Sequence, residues 1–156
     1  MKIIYVHHGN RAISNPPKQT DDLTELGYKD CALVAEMLSN EKIKNNIKKI
    51  YTSPFFRCKK TAEIINEKLG VQIVEDERLN EFVSTENETW VEAQTRILSC
   101  IDDIVKKHNN KNDIVLCVTS GVNIAAFILK AFGILPNNNV PFLGVPSCSP
   151  VMFEYK

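Results

Sequence analysis

The chain has 156 residues, of which 44% are hydrophobic, and its 19 Lys and Arg are balanced by 19 Asp and Glu. That length suits one domain, residues 1–156, burying roughly two-thirds of the surface its unfolded chain exposes. Zero net charge supplies no basic excess for nucleic acid or an anionic membrane surface, and no apolar run approaches the ~18 residues of a membrane span.

The N-terminus reads directly into a strand, with no charged-then-apolar leader ahead of it. The five cysteines (Cys31, Cys58, Cys100, Cys117 and Cys148) form no Cys-x-x-Cys pair. They read as reduced core residues of a cytoplasmic protein.

Lys2–His7 is rich in β-branched and aromatic residues and predicts a strand that stops on Gly9. Asn10–Asp22 is a loop by its Asn, Pro, Ser and Lys content. Thr24 then caps a helix in which Tyr28, Cys31, Ala35 and Leu38 share one face. The Lys-rich stretch Glu41–Lys49 reads as a solvated connection, and Ile50-Tyr51-Thr52 as a second short strand. Ser53-Pro54 supplies an N-cap and a first-turn proline for a helix to about Leu69, ended by Gly70. Val71–Val74 is a third strand, and the acid-rich Glu75–Thr89 is a surface excursion.

From Trp90 to about His108 a long helix aligns Ile97, Ile101, Ile104 and Val105. Asp113–Thr119 holds a non-alternating apolar run, the pattern of a parallel strand covered on both faces. Ser120-Gly121 turns into the apolar helix Val122–Phe132. Asn137–Asn139 reads as a turn, and Pro141–Val145 and Val151–Tyr155 as late strands. Strands alternating with helices of these lengths imply a three-layer α/β/α sandwich with a mostly parallel sheet. No internal repeat or linker interrupts it.

Four segments carry chemistry. In Val6-His7-His8-Gly9 a strand ends on two imidazoles, and a neutral imidazole is competent to attack phosphorus. Adjacent strand residues point to opposite faces, so the two histidines are not expected to share a metal. In Ser53-Pro54-Phe55-Phe56-Arg57-Cys58-Lys59-Lys60-Thr61-Ala62 an arginine stands in the first turns of a helix, where it can grip a phosphate bidentately. In Leu79-Asn80-Glu81 a carboxyl stands in the acid-rich loop, where a lone Glu by itself reads as a solvated side chain. In Val118-Thr119-Ser120-Gly121 a buried strand runs into a helix N-terminus with backbone N–H groups and one hydroxyl.

In this order the four segments resemble the histidine phosphatase superfamily, the phosphoglycerate mutase-like enzymes, over nearly the whole chain. Relatives show Arg-His-Gly, Ser-Pro-x-x-Arg-x-x-x-Thr-Ala, Leu-x-Glu and Thr-His-Gly. The resemblance implies a phosphoglycerate mutase-like fold, His8 as the phosphorylated nucleophile, Arg57 as a phosphate clamp and Glu81 as proton donor. It also exposes two departures: His7 stands where relatives have Arg, and Ser120 where they have His. The expected phosphate-binding set is His7, Arg57, Ser120, Gly121, Arg11 and Asn10, with Ser14 and Asn15 as further donors. Arg11 and His7 are candidates to share the missing arginine's task.

The function this implies is metal-independent phosphomonoester hydrolysis through a phosphohistidine, without a cofactor. Its partner would be a phosphorylated small molecule or a phosphoprotein, neither nucleic acid nor membrane, in an open oligomeric state. The alternative class is a catalytically impaired relative that binds a phosphorylated ligand or protein. A phosphoglycerate mutase fits less well, because the excursion available for a covering lid, Ser84–Thr89, is short.

Overall fold

A computed structural model describes residues 1–14, 18–82, 88–108, 110–136 and 143–155. Among these residues five strands form one sheet: β1 (Lys2–His7), β2 (Ile47–Thr52), β3 (Gln72–Glu75), β4 (Ile114–Thr119) and β5 (Pro150–Glu154). Their order is β3-β2-β4-β1-β5, and β5 alone runs antiparallel to its neighbour. The longer helices are α1 (Glu25–Leu38), α3 (Phe56–Leu69), α4 (Trp90–Lys107) and α5 (Gly121–Ala131); a short α2 spans Glu41–Lys44.

The alternation of side chains along the strands splits the core into two layers. Ile4 and Val6 of β1, with Leu116 and Val118 of β4, pack under α1 and α3. Ile3 and Tyr5, with Val115 and Cys117, pack under α4 and α5. Every residue of β4 is buried, as expected of a central parallel strand covered on both faces. The helices on the two faces make this a three-layer α/β/α sandwich with a mostly parallel sheet.

Several boundaries differ from the sequence expectation. β2 begins at Ile47, whose side chain is buried, and α2 occupies part of the stretch read as a solvated connection. α3 begins at Phe56 with Phe55 as its cap, so Ser53-Pro54 is a turn ahead of the helix rather than its first residues. Ser53 Oγ accepts from the Phe55 N–H and donates to Asn80 Oδ1, which fixes the turn to the acidic segment. That segment is not a simple surface excursion: Leu79 is fully buried in a 3₁₀ turn, Glu77–Leu79. Leu143–Val145 belongs to no strand, while Pro141, Phe142 and the Asn137–Asn139 turn lie outside the described residues.

The chain leaves β1 through a close approach that only glycine permits. A Cβ on Gly27 of α1 would stand 2.2 Å from the Asn10 carbonyl oxygen, and one on Gly9 would stand 2.7 Å from Cys31 Sγ. Helix α1 therefore lies directly against Gly9-Asn10, capped by Thr24 Oγ1, which accepts from the Gly27 N–H. This contact holds the loop over the C-terminal ends of β1 and β4, the end at which such sheets bind ligands.

Candidate active site

His7 and Thr119 are paired at the last rung of β1 and β4, and the His8 N–H continues the ladder to the Thr119 carbonyl at 3.0 Å. His8 and Ser120 are thus brought together across 112 residues, as the sequence pattern requires. His8 is 4% exposed. Its Nδ1 lies 2.8 Å from the Gly9 carbonyl oxygen. A carbonyl only accepts, so Nδ1 carries the proton and the neutral ring keeps its lone pair on Nε2. Arg57 Nε donates to that Nε2 at 3.1 Å. Burial first, then the neighbouring His7 and the cations Arg57 and Arg11, hold the His8 pKa down at about 3.

Arg57 is 2% exposed although it carries a full charge. A buried cation needs a partner, and Glu81 Oε2 bonds its Nη2. Its remaining surroundings are the Lys18 carbonyl, at 3.5 Å from Nη1, and the Phe55 ring, whose centroid is 4.9 Å from Cζ. Thr61 ties this helix to the strand end: its Oγ1 accepts from the Gly9 N–H and donates to the Arg57 carbonyl. The Ser-Pro-x-x-Arg-x-x-x-Thr segment thereby supplies both the guanidinium and the clamp on the loop that carries His8.

Glu81 is held by a separate network on the other face of the sheet. Asn123 Nδ2 of α5 donates to the carbonyls of Leu79 and Asn80 and to Thr119 Oγ1. Thr119 Oγ1 in turn donates to the Leu79 carbonyl, and Arg96 Nη1 of α4 reaches the carbonyls of Arg78 and Asn80. A loop carboxyl is normally mobile; here the backbone before it is anchored by three elements.

A cavity of about 300 Å³ opens at this end of the sheet, lined by His7, His8, Asn10, Arg11, Ile13, Glu81 and Ser147. The two imidazoles face it together, their centroids 4.5 Å apart at 73°. The expectation that strand alternation separates them fails for a geometric reason. β1 ends at His7, so no sheet lies between a ring rising from one face and a ring rising from the other. His7 Nδ1 donates to the Val145 carbonyl at 2.7 Å, and burial lowers its pKa as well, so both rings are neutral at pH 7. Among the described residues no cluster of three His, Cys, Asp or Glu is arranged to hold a metal.

The other expected residues fall into distinct places. Arg11 lines the cavity, and its backbone pairs with Leu23 in an isolated bridge. Asn10 lines it too, with its carbonyl and Oδ1 bonded by Thr24. Ser120 is 1% exposed and lies outside the cavity lining, and its Oγ has no hydrogen-bond partner among the described residues. Gly121 backs the His7 ring, since a Cβ there would meet His7 Cε1 at 2.9 Å. Ser14 is engaged with Asp21, and Asn15 lies outside the described residues.

Ser147, Ile13 and the Val145 carbonyl were not singled out from the sequence. The signal available for Ser147 was the proline-flanked run Pro146-Ser147-Cys148-Ser149-Pro150 ahead of the edge strand.

The histidine phosphatase superfamily (branch 1) matches residues 7–86 and 82–156. A 61-residue stretch is 44% identical to "Putative phosphoserine phosphatase 2" of Hydrogenobacter thermophilus; it is 39% of this chain and 28% of that protein. The chain therefore spans well under two-thirds of that relative's length. YhfR of Bacillus stearothermophilus superposes with a TM-score of 0.78 at 22% identity, over 99% of this chain and 91% of that one. Mycobacterial glucosyl-3-phosphoglycerate phosphatase in complex with VO3 gives 0.76 at 20% identity, over 97% and 90%. Among the described residues no helix is long and apolar enough to cross a membrane. With the family match running through both histidines, Arg57, Glu81 and Ser120, the chain belongs to the histidine phosphatase superfamily.

Proposed function

We propose that residues 1–156 act as one histidine phosphatase-like domain that hydrolyses phosphomonoesters through a phosphoryl group carried on His8. The observation that carries this reading is the state of His8: a neutral ring, protonated on Nδ1, with its Nε2 lone pair beside the Arg57 guanidinium. A nucleophilic imidazole requires that tautomer, and a pKa of about 3 keeps it unprotonated across the physiological range.

An entering phosphoryl group competes with Glu81 for the Arg57 fork, because its oxygens match the guanidinium geometry as a carboxylate does. Arg11, His7 and Asn10 line the cavity together with His8 and Glu81, with Arg11 supplying the second permanent cation. Glu81, released from the ion pair and placed against a phosphate, takes up a proton and gives it to the ester oxygen as that bond breaks. His8 Nε2 forms the new bond to phosphorus. Water then attacks, the N–P bond breaks, Glu81 accepts the water's proton, and phosphate leaves. No metal or cofactor enters these steps. The substrate is a phosphorylated small molecule or a phosphoprotein side chain, and the likeness to a phosphoserine phosphatase makes phosphoserine the first to assay.

The test is a turnover assay on phosphoserine and a phosphomonoester panel, quenched in base to preserve an acid-labile phosphoramidate. Mass mapping should find the phosphoryl group on His8, and His8→Ala should lose about a thousand-fold or more in kcat/KM. Activity should survive chelators. Turnover undiminished in His8→Ala would overturn the mechanism. Phosphate binding without turnover in the wild type would leave a binding protein in its place.

A further inference from the structure

Two of the cysteines meet beside the site although 117 residues separate them: Cys31 Sγ of α1 and Cys148 Sγ lie 3.4 Å apart. A disulfide bond is ~2.05 Å long, so the sulfurs stand ~1.4 Å from bonding distance. We propose that Cys31 and Cys148 form a dithiol–disulfide site, oxidised by low-molecular-weight disulfides such as oxidised glutathione, that adjusts the loop holding His7.

The two thiols are unequal. Cys31 is fully buried beneath Gly9 and donates to Thr61 Oγ1 at 3.5 Å. Cys148 is the one cysteine of the five that is not buried, so a reagent from solvent meets it first. The contact between them lowers the Cys31 pKa and raises that of Cys148. Cys58, Cys100 and Cys117 are buried, which raises all three pKa values; for the first two they stand at about 12. These three are the internal controls.

Cys148 gives its proton to water, and its thiolate attacks one sulfur of the small disulfide. A mixed disulfide forms at Cys148 and a small thiolate leaves, taking a proton from water. Cys31 then gives up its proton and attacks the Cys148 sulfur. The protein disulfide forms, the mixed bond breaks, and the second small thiol departs. Two cysteine thiols lose two electrons and two protons, and the small disulfide gains both.

The link bears on the site because of where Cys148 sits. Its backbone is in the left-handed region at φ 55°, and its N–H donates to the carbonyls of His7, at 3.0 Å, and His8, at 3.3 Å. The same loop carries the Val145 carbonyl that binds His7 Nδ1, and Ser147 in the cavity wall. Drawing Cys148 toward α1 moves both.

The experiment equilibrates the intact protein in glutathione buffers of increasing oxidation, blocks free thiols under native conditions and maps peptides by mass. The expected product is a single Cys31–Cys148 cross-link lacking two hydrogens, with Cys58, Cys100 and Cys117 still reduced. Cys31→Ser should trap the glutathione adduct on Cys148, and Cys148→Ser should leave Cys31 unreacted. A wild-type adduct on Cys148 that never resolves, or no reaction at the most oxidising ratio, overturns the proposal. This readout is independent of phosphatase activity. In the same samples, orthovanadate should bind the oxidised wild type roughly tenfold more weakly, since displacements near 1 Å act at that scale. Equal affinity in both states would remove the coupling to His7.

Discussion

Ser120 is the residue at which stability and function separate most cleanly. Its hydroxyl is buried and has no partner among the described residues, a state that costs ~1–3 kcal/mol in a folded protein. Ser120→Ala should therefore leave the protein as stable or more stable by urea denaturation. If the hydroxyl turns to a bound phosphoryl oxygen, the same change should lower kcat/KM by about ten-fold or more. A fall in stability with unchanged kinetics would assign the hydroxyl to the scaffold instead.

Arg11 and His7 can be weighed in the same assay. His7 is neutral, holds Val145 through Nδ1 and is backed by Gly121, so His7→Arg must displace a packed neighbour to restore the family's cation. Arg11 already lines the cavity. Arg11→Ala should raise KM for phosphoserine about ten- to a hundred-fold, whereas His7→Arg should lower activity. Gain of turnover in His7→Arg would mean that Arg11 has not taken over the task.

At the scale of elements, the contact between α1 and the Gly9-Asn10 loop fixes how the site is presented. Gly27→Ala would set a methyl 2.2 Å from the Asn10 carbonyl oxygen, backbone against backbone. Overpacking of this kind costs ~1–3 kcal/mol, visible as a lowered urea midpoint, and because Asn10 and Arg11 must move, KM should rise as well. An unchanged midpoint would show that α1 slides freely.

The elements were legible wherever one local signal dominated. β1 and β4 announced themselves by apolar runs ending on polar residues, α1 by its cap and helical spacing, and α4 by helical spacing. Residues of the site were legible where they sat at strand or helix ends, as His8 and Arg57 do. The rest depended on long-range partners. Asn123 reads as one polar residue in an apolar helix, yet it anchors the backbone before Glu81. Val145 contributes only a carbonyl, which any residue carries, and no pattern in the sequence marks that use. The meeting of Cys31 with Cys148 depends on β5 returning beside β1, a pairing that spacing alone does not give.

For the molecule as a whole, the three histidines impose a direction on the response to acid. Burial is the leading cause that lowers each of them, His8 to about 3, with His7 and His108 moved the same way. In the unfolded chain each returns to an ordinary pKa near ~6.5. Between that value and the folded value, the unfolded state binds the proton that the folded state refuses. Stability is therefore complete above ~6.5 and falls as the pH drops toward 3. Asp21, Asp76 and Asp103, whose pKa values are lowered in the folded state, add a loss of the same sign below pH ~4.

His8 alone contributes a slope of ~1.4 kcal/mol per pH unit across this window, and on the order of 5 kcal/mol in total, a large part of a typical domain's 5–15 kcal/mol. Urea titrations at pH 7, 6, 5 and 4.5 should show the midpoint falling steadily with acid. His8→Gln, which cannot titrate, should have a slope shallower by about 1.4 kcal/mol per pH unit below pH 6. Identical slopes for the two proteins would mean that His8 takes up its proton while folded. In that case the ring would not reach phosphorus as a neutral nucleophile at mildly acid pH, and kcat/KM would fall with it. A stability measurement that needs no substrate thus tests the electrostatic premise of the chemistry: the burial that makes His8 a nucleophile is the burial that makes the fold acid-sensitive.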